Sequence, residues 1–178
     1  GSIGIGYVAL ISLTSGIGNV AIGSGSMAAN ATSDFNTAVG TNALGKLTKD
    51  GATGNTAIGY HSMLVHTTGG QNTCLGYGTM QDTDVGSTSS GTVDCTFIGY
   101  NAGGGTWSSN NTCNYNTAVG SLSMDSALDA CGQNTALGYA SLSGITQGDY
   151  NISIGYASLL ELTTGGSNVA VGSFAGRY

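Results

Sequence analysis

Nine residues, Asn55 to Met63 (NTAIGYHSM), return in near copy along the whole chain, and this recurrence constrains the fold more than any other feature. With Gly59 as the anchor, the equivalent glycines are Gly6, Gly23, Gly40, Gly76, Gly99, Gly120, Gly138, Gly155 and Gly172, ten copies in all. Their successive spacings are 17, 17, 19, 17, 23, 21, 18, 17 and 17 residues, so the copies run from end to end and residues 1–178 form a single repeat domain.

Each copy is numbered here from its anchor glycine at position 0. Position −1 is always a branched aliphatic residue, position −2 is usually small and most often Ala, and position −3 is mostly Thr or Val. That alternation has period two and reads as a strand with one bulky and one nearly bare face. The bulky face is expected to fill a core, and the bare Ala/Gly face to admit another backbone. A repeat of 17 residues is too short for two packed helices, and a glycine in every copy would weaken a helix by about 1 kcal/mol each time. It suits one coil of a β-solenoid, in which a strand, a turn, a return segment and a second turn stack on the next coil. The expected fold is therefore all-β, a parallel β-solenoid of about ten coils, about 48 Å long at about 4.8 Å per coil.

Asn occupies position −4 in eight copies, at Asn19, Asn36, Asn55, Asn72, Asn116, Asn134, Asn151 and Asn168, and stacked coils would join these amides in a ladder. Tyr stands at +1 in six copies, and Tyr60, Tyr77 and Tyr100 fall in consecutive coils, where they form a candidate recognition stripe or simply stack within the sheet. The two longest spacings flank Gly99 and place turn insertions at 81–94 and 101–115. Insertions into solenoid turns often carry binding, and the second contains Trp107, the only tryptophan, which either recognises a ligand or pins its loop to the rod.

Four cysteines lie in the same region. Cys113 and Cys131 share position −7 of consecutive coils, and one coil step falls within the Cα separation a disulfide accepts, about 4.4 to 6.8 Å. Cys74 and Cys95 sit on one face of neighbouring coils. Register favours the pairs Cys74 with Cys95 and Cys113 with Cys131, and with them an oxidising location outside the cell; four free buried thiols are the alternative. The sequons at Asn30, Asn110 and Asn151 are of a kind that chance supplies in a chain so rich in Asn, Ser and Thr.

A net charge of −6, with only Lys46, Lys49 and Arg177 basic, leaves no electrostatic footprint for nucleic acid or an anionic membrane surface. No apolar run is long enough to span a membrane. His61 and His66 lack a third ligand at metal-binding spacing, and no carboxylate pair or nucleophile triad recurs at a fixed geometry. The expectation is a chain without catalytic, cofactor or metal site.

The copies beginning at Asn19 (NVAIGSGSMA), Asn36 (NTAVGTNAL) and Asn168 (NVAVGSFAG) resemble the head repeats of trimeric autotransporter adhesins. They are equally similar to the NTAVG-type repeats of bacteriophage tail fibres. The resemblance covers the whole chain and implies a left-handed parallel β-roll in a structural or adhesive fibre at a cell or virion surface. A carbohydrate- or receptor-binding module is the alternative function. The first copy begins almost at Ser2 and the last stops six residues beyond Gly172. Head-to-tail assembly of the chain with itself is accordingly expected, with a homotrimer as the alternative form of self-assembly.

Overall fold

The computed structural model describes residues 1–47, 52–83, 91–107 and 112–177. Residues 84–90 and 108–111 of the two turn insertions, including the sequon at Asn110, lie outside the described residues. Among the described residues there is no helix, and hence none long and apolar enough to cross a membrane. Ten three-residue strands, β1 (Ile3–Ile5), β2 (Val20–Ile22), β3 (Thr37–Val39), β4 (Thr56–Ile58), β5 (Thr73–Leu75), β6 (Thr96–Ile98), β7 (Thr117–Val119), β8 (Thr135–Leu137), β9 (Ile152–Ile154) and β10 (Val169–Val171), form one parallel sheet in chain order. The protein is a β-solenoid, with one turn of the coil between each strand and the next.

The register never slips. Every strand pairs positions −3, −2 and −1 with the same positions of its neighbours, even across the long insertions, where Thr73, Cys74 and Leu75 face Thr96, Phe97 and Ile98. Backbone bonds continue around the coil: the N–H at +4 donates to the carbonyl at +3 of the next coil, as in Met27 to Ala43 and Leu142 to Ser158. The return segment thus ladders like the strands, with shorter regular stretches.

The anchor glycines are required by these ladders. Gly138 adopts φ +132°, and a Cβ on it would stand 2.5 Å from the carbonyl oxygen of Gly155 in the next coil. Left-handed backbone also recurs without glycine. Position +4 has φ between +44° and +54° at Leu10, Met27, Leu44, Met63, Met80, Met124, Leu142 and Leu159, and +2 and −5 are similarly left-handed. Each such residue carries a steric cost of about 1 kcal/mol or more, which the ladders on both sides offset by holding the turn.

The orientation of the strands corrects the sequence reading. Ala21, Ala38, Ala57, Ala118 and Ala136 at −2 are fully buried, while the −1 residues Ile22, Ile58, Leu75 and Leu137 are exposed. The bare face points inward and the bulky face points to solvent. Period two supplies the reason: −4 and −2 share a face, so burying the Asn column necessarily turns −3 and −1 outward. The apolar volume comes from the return segment, where Met27, Leu44, Met63, Met80, Met124 and Leu142 at +4 are buried against the strand alanines, and from a further column at Leu47, His66, Leu128 and Ile145.

One coil inverts this division. At β6 Phe97 replaces the −2 alanine, and Gly103 replaces the +4 methionine or leucine. A Cβ on Gly103 would meet the Phe97 ring at 2.6 Å, so the ring occupies the space that the return segment fills elsewhere.

Candidate functional site

The inner polar column is closed. Asn36, Asn55 and Asn72 donate their backbone N–H groups to the side-chain oxygens of Asn19, Asn36 and Asn55 at 2.9, 2.8 and 3.1 Å. Asn134, Asn151 and Asn168 repeat the bond onto Asn116, Asn134 and Asn151 at 3.0, 2.9 and 3.1 Å. The side-chain amides of Asn36, Asn116 and Asn134 also donate to backbone carbonyls seven residues before the following anchors, Ala52, Cys131 and Gly148. The ladder crosses its two irregular members. Ser2 Oγ accepts from Asn19 N–H at 3.1 Å, and Cys95 Sγ accepts from Asn116 N–H at 3.4 Å. Buried amides satisfied in this way stabilise stacking and leave nothing to offer a ligand. Asn30 and Asn151 are buried in their turns and ladder, which removes two of the three sequons as acceptors.

The four cysteines are buried and unbonded, so no disulfide is present. Cys113 and Cys131 do stack as the register predicts, with Sγ atoms 3.2 Å apart. That is a thiol contact, well beyond an S–S bond of about 2.05 Å. The expected partnership of Cys74 with Cys95 is not formed: the pairing sets Cys74 opposite Phe97, two residues further along β6, while Cys95 takes the place of an asparagine and donates its N–H to Asn72 Oδ1 at 3.0 Å. Burial pushes the Cys95 thiol up to about 12 and raises Cys74 as well. The Cys131 S–H directed at Cys113 raises Cys131 and lowers Cys113, so Cys113 ionises first within the pair.

Trp107 is buried, packing edge to face against Phe97 at 6.1 Å between ring centroids. It pins its turn to the rod and offers no exposed ring for recognition. The tyrosine stripe, by contrast, is both stacked and open to solvent. Tyr60 and Tyr77 lie 5.0 Å apart and Tyr77 and Tyr100 5.5 Å apart, with His61 against the first ring at 3.8 Å. Asn42 Nδ2 donates to His61 Nε2 at 3.3 Å, which places the ring beside the stripe. A second stack joins Tyr139 to Tyr156 at 5.2 Å and ends edge-on at Phe174.

His66 is buried away from this surface. Its Nε2 faces the Gly69 carbonyl at 3.3 Å, which can only accept, so Nε2 carries the proton and Nδ1 accepts from Thr83 Oγ1 at 3.1 Å. A shallow cavity of about 230 Å³ is lined in part by Tyr115, Cys131, Gln133 and Asp149. Asp149 Oδ1 already accepts the Gly132 N–H at 2.7 Å, the same turn bond that Asp34 makes with Ile17 at 2.7 Å. Among the described residues no group of three His, Cys, Asp or Glu side chains is placed to hold a metal ion.

The feature that sequence reasoning missed is the outward strand face itself. Beside the tyrosines run two columns, −3 and −1, with Leu75 and Leu137 exposed at 45 and 47% even in the middle of the rod. Two signals pointed to it. The Asn column at −4 sets the parity of the strand, and all twelve charged residues of the chain lie outside positions −4 to +4.

No protein-family model, curated protein or solved structure matches this chain. The class of the molecule is therefore defined by its architecture, a repeat-built β-solenoid.

Proposed function

We propose that this chain is a non-catalytic structural or adhesive element of a fibre outside the cell or on a virion, and that its partner is itself. The observation that carries this reading is the continuity of the ladders: strand, asparagine and return-segment bonds pass through every coil without a change of register. A chain bonded in this way along its axis resists bending, which suits a load-bearing spacer. Its surface repeats at about 4.8 Å, so it presents the same groups many times over. Coils of separate chains stacked head to tail would use the same donors and acceptors as coils within one chain. The resemblance of its NTAVG-type copies to adhesin heads and phage tail fibres agrees with this role. Electron microscopy with mass spectrometry of the natural material tests it: the expected result is slender rods or filaments containing this chain, and compact particles without rods would refute it.

A second reading, a carbohydrate-binding module, is favoured by one observation, the three exposed stacked rings of Tyr60, Tyr77 and Tyr100. Aromatic faces bind the apolar faces of sugars. A glycan array should then show discrete hits that disappear in Tyr77→Ala and persist in Trp107→Phe. An array without hits would remove this reading.

A further inference from the structure

Threonine forms an unbroken rank on the outward strand face. Position −3 is Thr in the third to eighth coils, at Thr37, Thr56, Thr73, Thr96, Thr117 and Thr135, and each pairs with the next in the sheet register. All six are half-buried or exposed, and none of their hydroxyls has a partner among the described residues. Threonines elsewhere do bond theirs, Thr14 and Thr146 to carbonyls of the next coil and Thr79 within its own turn. Beside the rank runs the −1 column of Val, Ile and Leu, and no residue from −4 to +4 carries a charge. Evenly spaced, unbonded hydroxyls backed by methyl groups make a template for a lattice rather than for a single molecule.

We propose that this face binds ice, the crystalline form of water, through the threonine rank and the aliphatic column beside it. The inference goes beyond the fibre reading and does not rest on it, since coils stacked head to tail leave the face open.

Spacing selects the ligand. Each oxygen in ice joins four neighbours tetrahedrally through O–H···O bonds of about 2.75 Å, so the oxygens of a row recur about every 4.5 Å. Strands recur about every 4.8 Å. The difference accumulates to about 1.5 Å over the five steps of the rank, or about 0.75 Å to either side of its centre. A hydroxyl falls between two lattice sites only at half the row repeat, about 2.2 Å, so all six stay in phase. Across the rows the same lattice repeats about every 7.3 Å, and positions −3 and −1, two residues apart along the strand, are separated by about 6.6 Å.

Chemistry agrees with the spacing. Every oxygen in ice both donates and accepts, and a threonine hydroxyl does the same. The lattice is neutral and so is the face, despite a net charge of −6 on the chain. An ionised side chain there would orient water about itself. Methyl groups instead restrict their first-shell water without bonding it, which leaves that layer free to join the crystal. The asparagine ladder beneath the strands is of the kind that holds a sheet flat.

Nanolitre osmometry of the full chain around a single ice crystal measures the gap between melting and freezing points. The gap should widen with protein concentration, and the crystal should grow facets. A gap no larger than that of an equimolar inert protein would overturn the proposal, whether the face is idle or covered by further copies. Thr96→Lys sets a long charged side chain in the middle of the rank and should abolish the gap, whereas Gln147→Lys, which adds the same charge in a turn, should preserve it. An undiminished gap in Thr96→Lys would overturn the proposal. Circular dichroism checks that the variants keep the parent β spectrum. Should Thr96→Lys lose it, Thr96→Tyr decides: tyrosine is a strong strand former whose ring stands off the threonine rank, so this variant should also lose the gap, and full retention would overturn the proposal. The two readings fail separately. Rods in micrographs of the natural material without a gap would overturn ice binding alone, and compact particles with a gap would overturn the fibre reading alone.

Discussion

Asn134 sits mid-ladder with every hydrogen-bonding capacity of its side chain used. Its oxygen accepts from the Asn151 N–H and the Asn151 side-chain amide, both at 2.9 Å, and its own amide donates to Asn116 Oδ1 at 3.1 Å and to the Gly148 carbonyl at 2.9 Å. Replacement by Ala does not affect all four partners equally. Asn116 Oδ1 keeps the backbone N–H of residue 134 at 3.0 Å, and the Asn151 amide keeps the Gly165 carbonyl at 2.9 Å. Two groups are left without these bonds, the Asn151 N–H in the buried column and the carbonyl of half-buried Gly148. At about 1 to 3 kcal/mol for the stranded buried N–H, and less for the half-buried carbonyl, Asn134→Ala should destabilise the rod by about 1 to 4 kcal/mol. Urea unfolding followed by circular dichroism measures the total. Hydrogen exchange at Asn151 reads the local effect, which matters in a solenoid whose coils can open separately. A loss below about 0.5 kcal/mol, with the Asn151 amide still protected, would refute the claim that the ladder holds the coils together.

Gly138→Ala should cost about 3 kcal/mol or more, because its Cβ would meet the Gly155 carbonyl at 2.5 Å and its φ of +132° is strained for Ala; an unchanged thermal midpoint would contradict this. Phe97→Ala should cost about 3 to 5 kcal/mol, and adding Gly103→Met should recover part of it by restoring the usual Ala and Met pair, so purely additive effects in a double-mutant cycle would count against the exchange of volume. The Cys95 thiol stays protonated in the folded chain up to about 12, while an unfolded thiol ionises near 8.5, so the unfolded chain binds fewer protons in that window and stability should fall as pH rises through it. Cys95→Asn should flatten that decline and extend the asparagine ladder, and an unaltered pH slope would argue against it. Mild oxidation should join Cys113 to Cys131 within one chain and leave Cys74 and Cys95 free, and peptide mapping that finds Cys74 linked to Cys95 would show the register across the first insertion to be wrong.

The sequence by itself determined the repeat, its one-dimensional stacking and the chemistry of its ladders. Backbone hydrogen bonding between coils tolerates only one register, so the spacing of the anchor glycines was enough to align Thr73 with Thr96 across a 23-residue step and Cys113 with Cys131 across 18. The tyrosine stripe was legible for the same reason. Which strand face turns inward was decided only by the tertiary structure. Hydrophobicity assigned Ile58 and Leu75 to the core, yet the lumen is too narrow to hold branched side chains from the strand as well as Met63 and Met80 from the return segment, and Asn55 and Asn72 need inward places to complete their bonds. Trp107 reads the same way: a lone tryptophan in an inserted turn looks like a recognition residue, until the Phe97 ring is placed beneath it. Composition names the groups that want to leave water, but the width of the coil and the parity of the buried amides select which of them do.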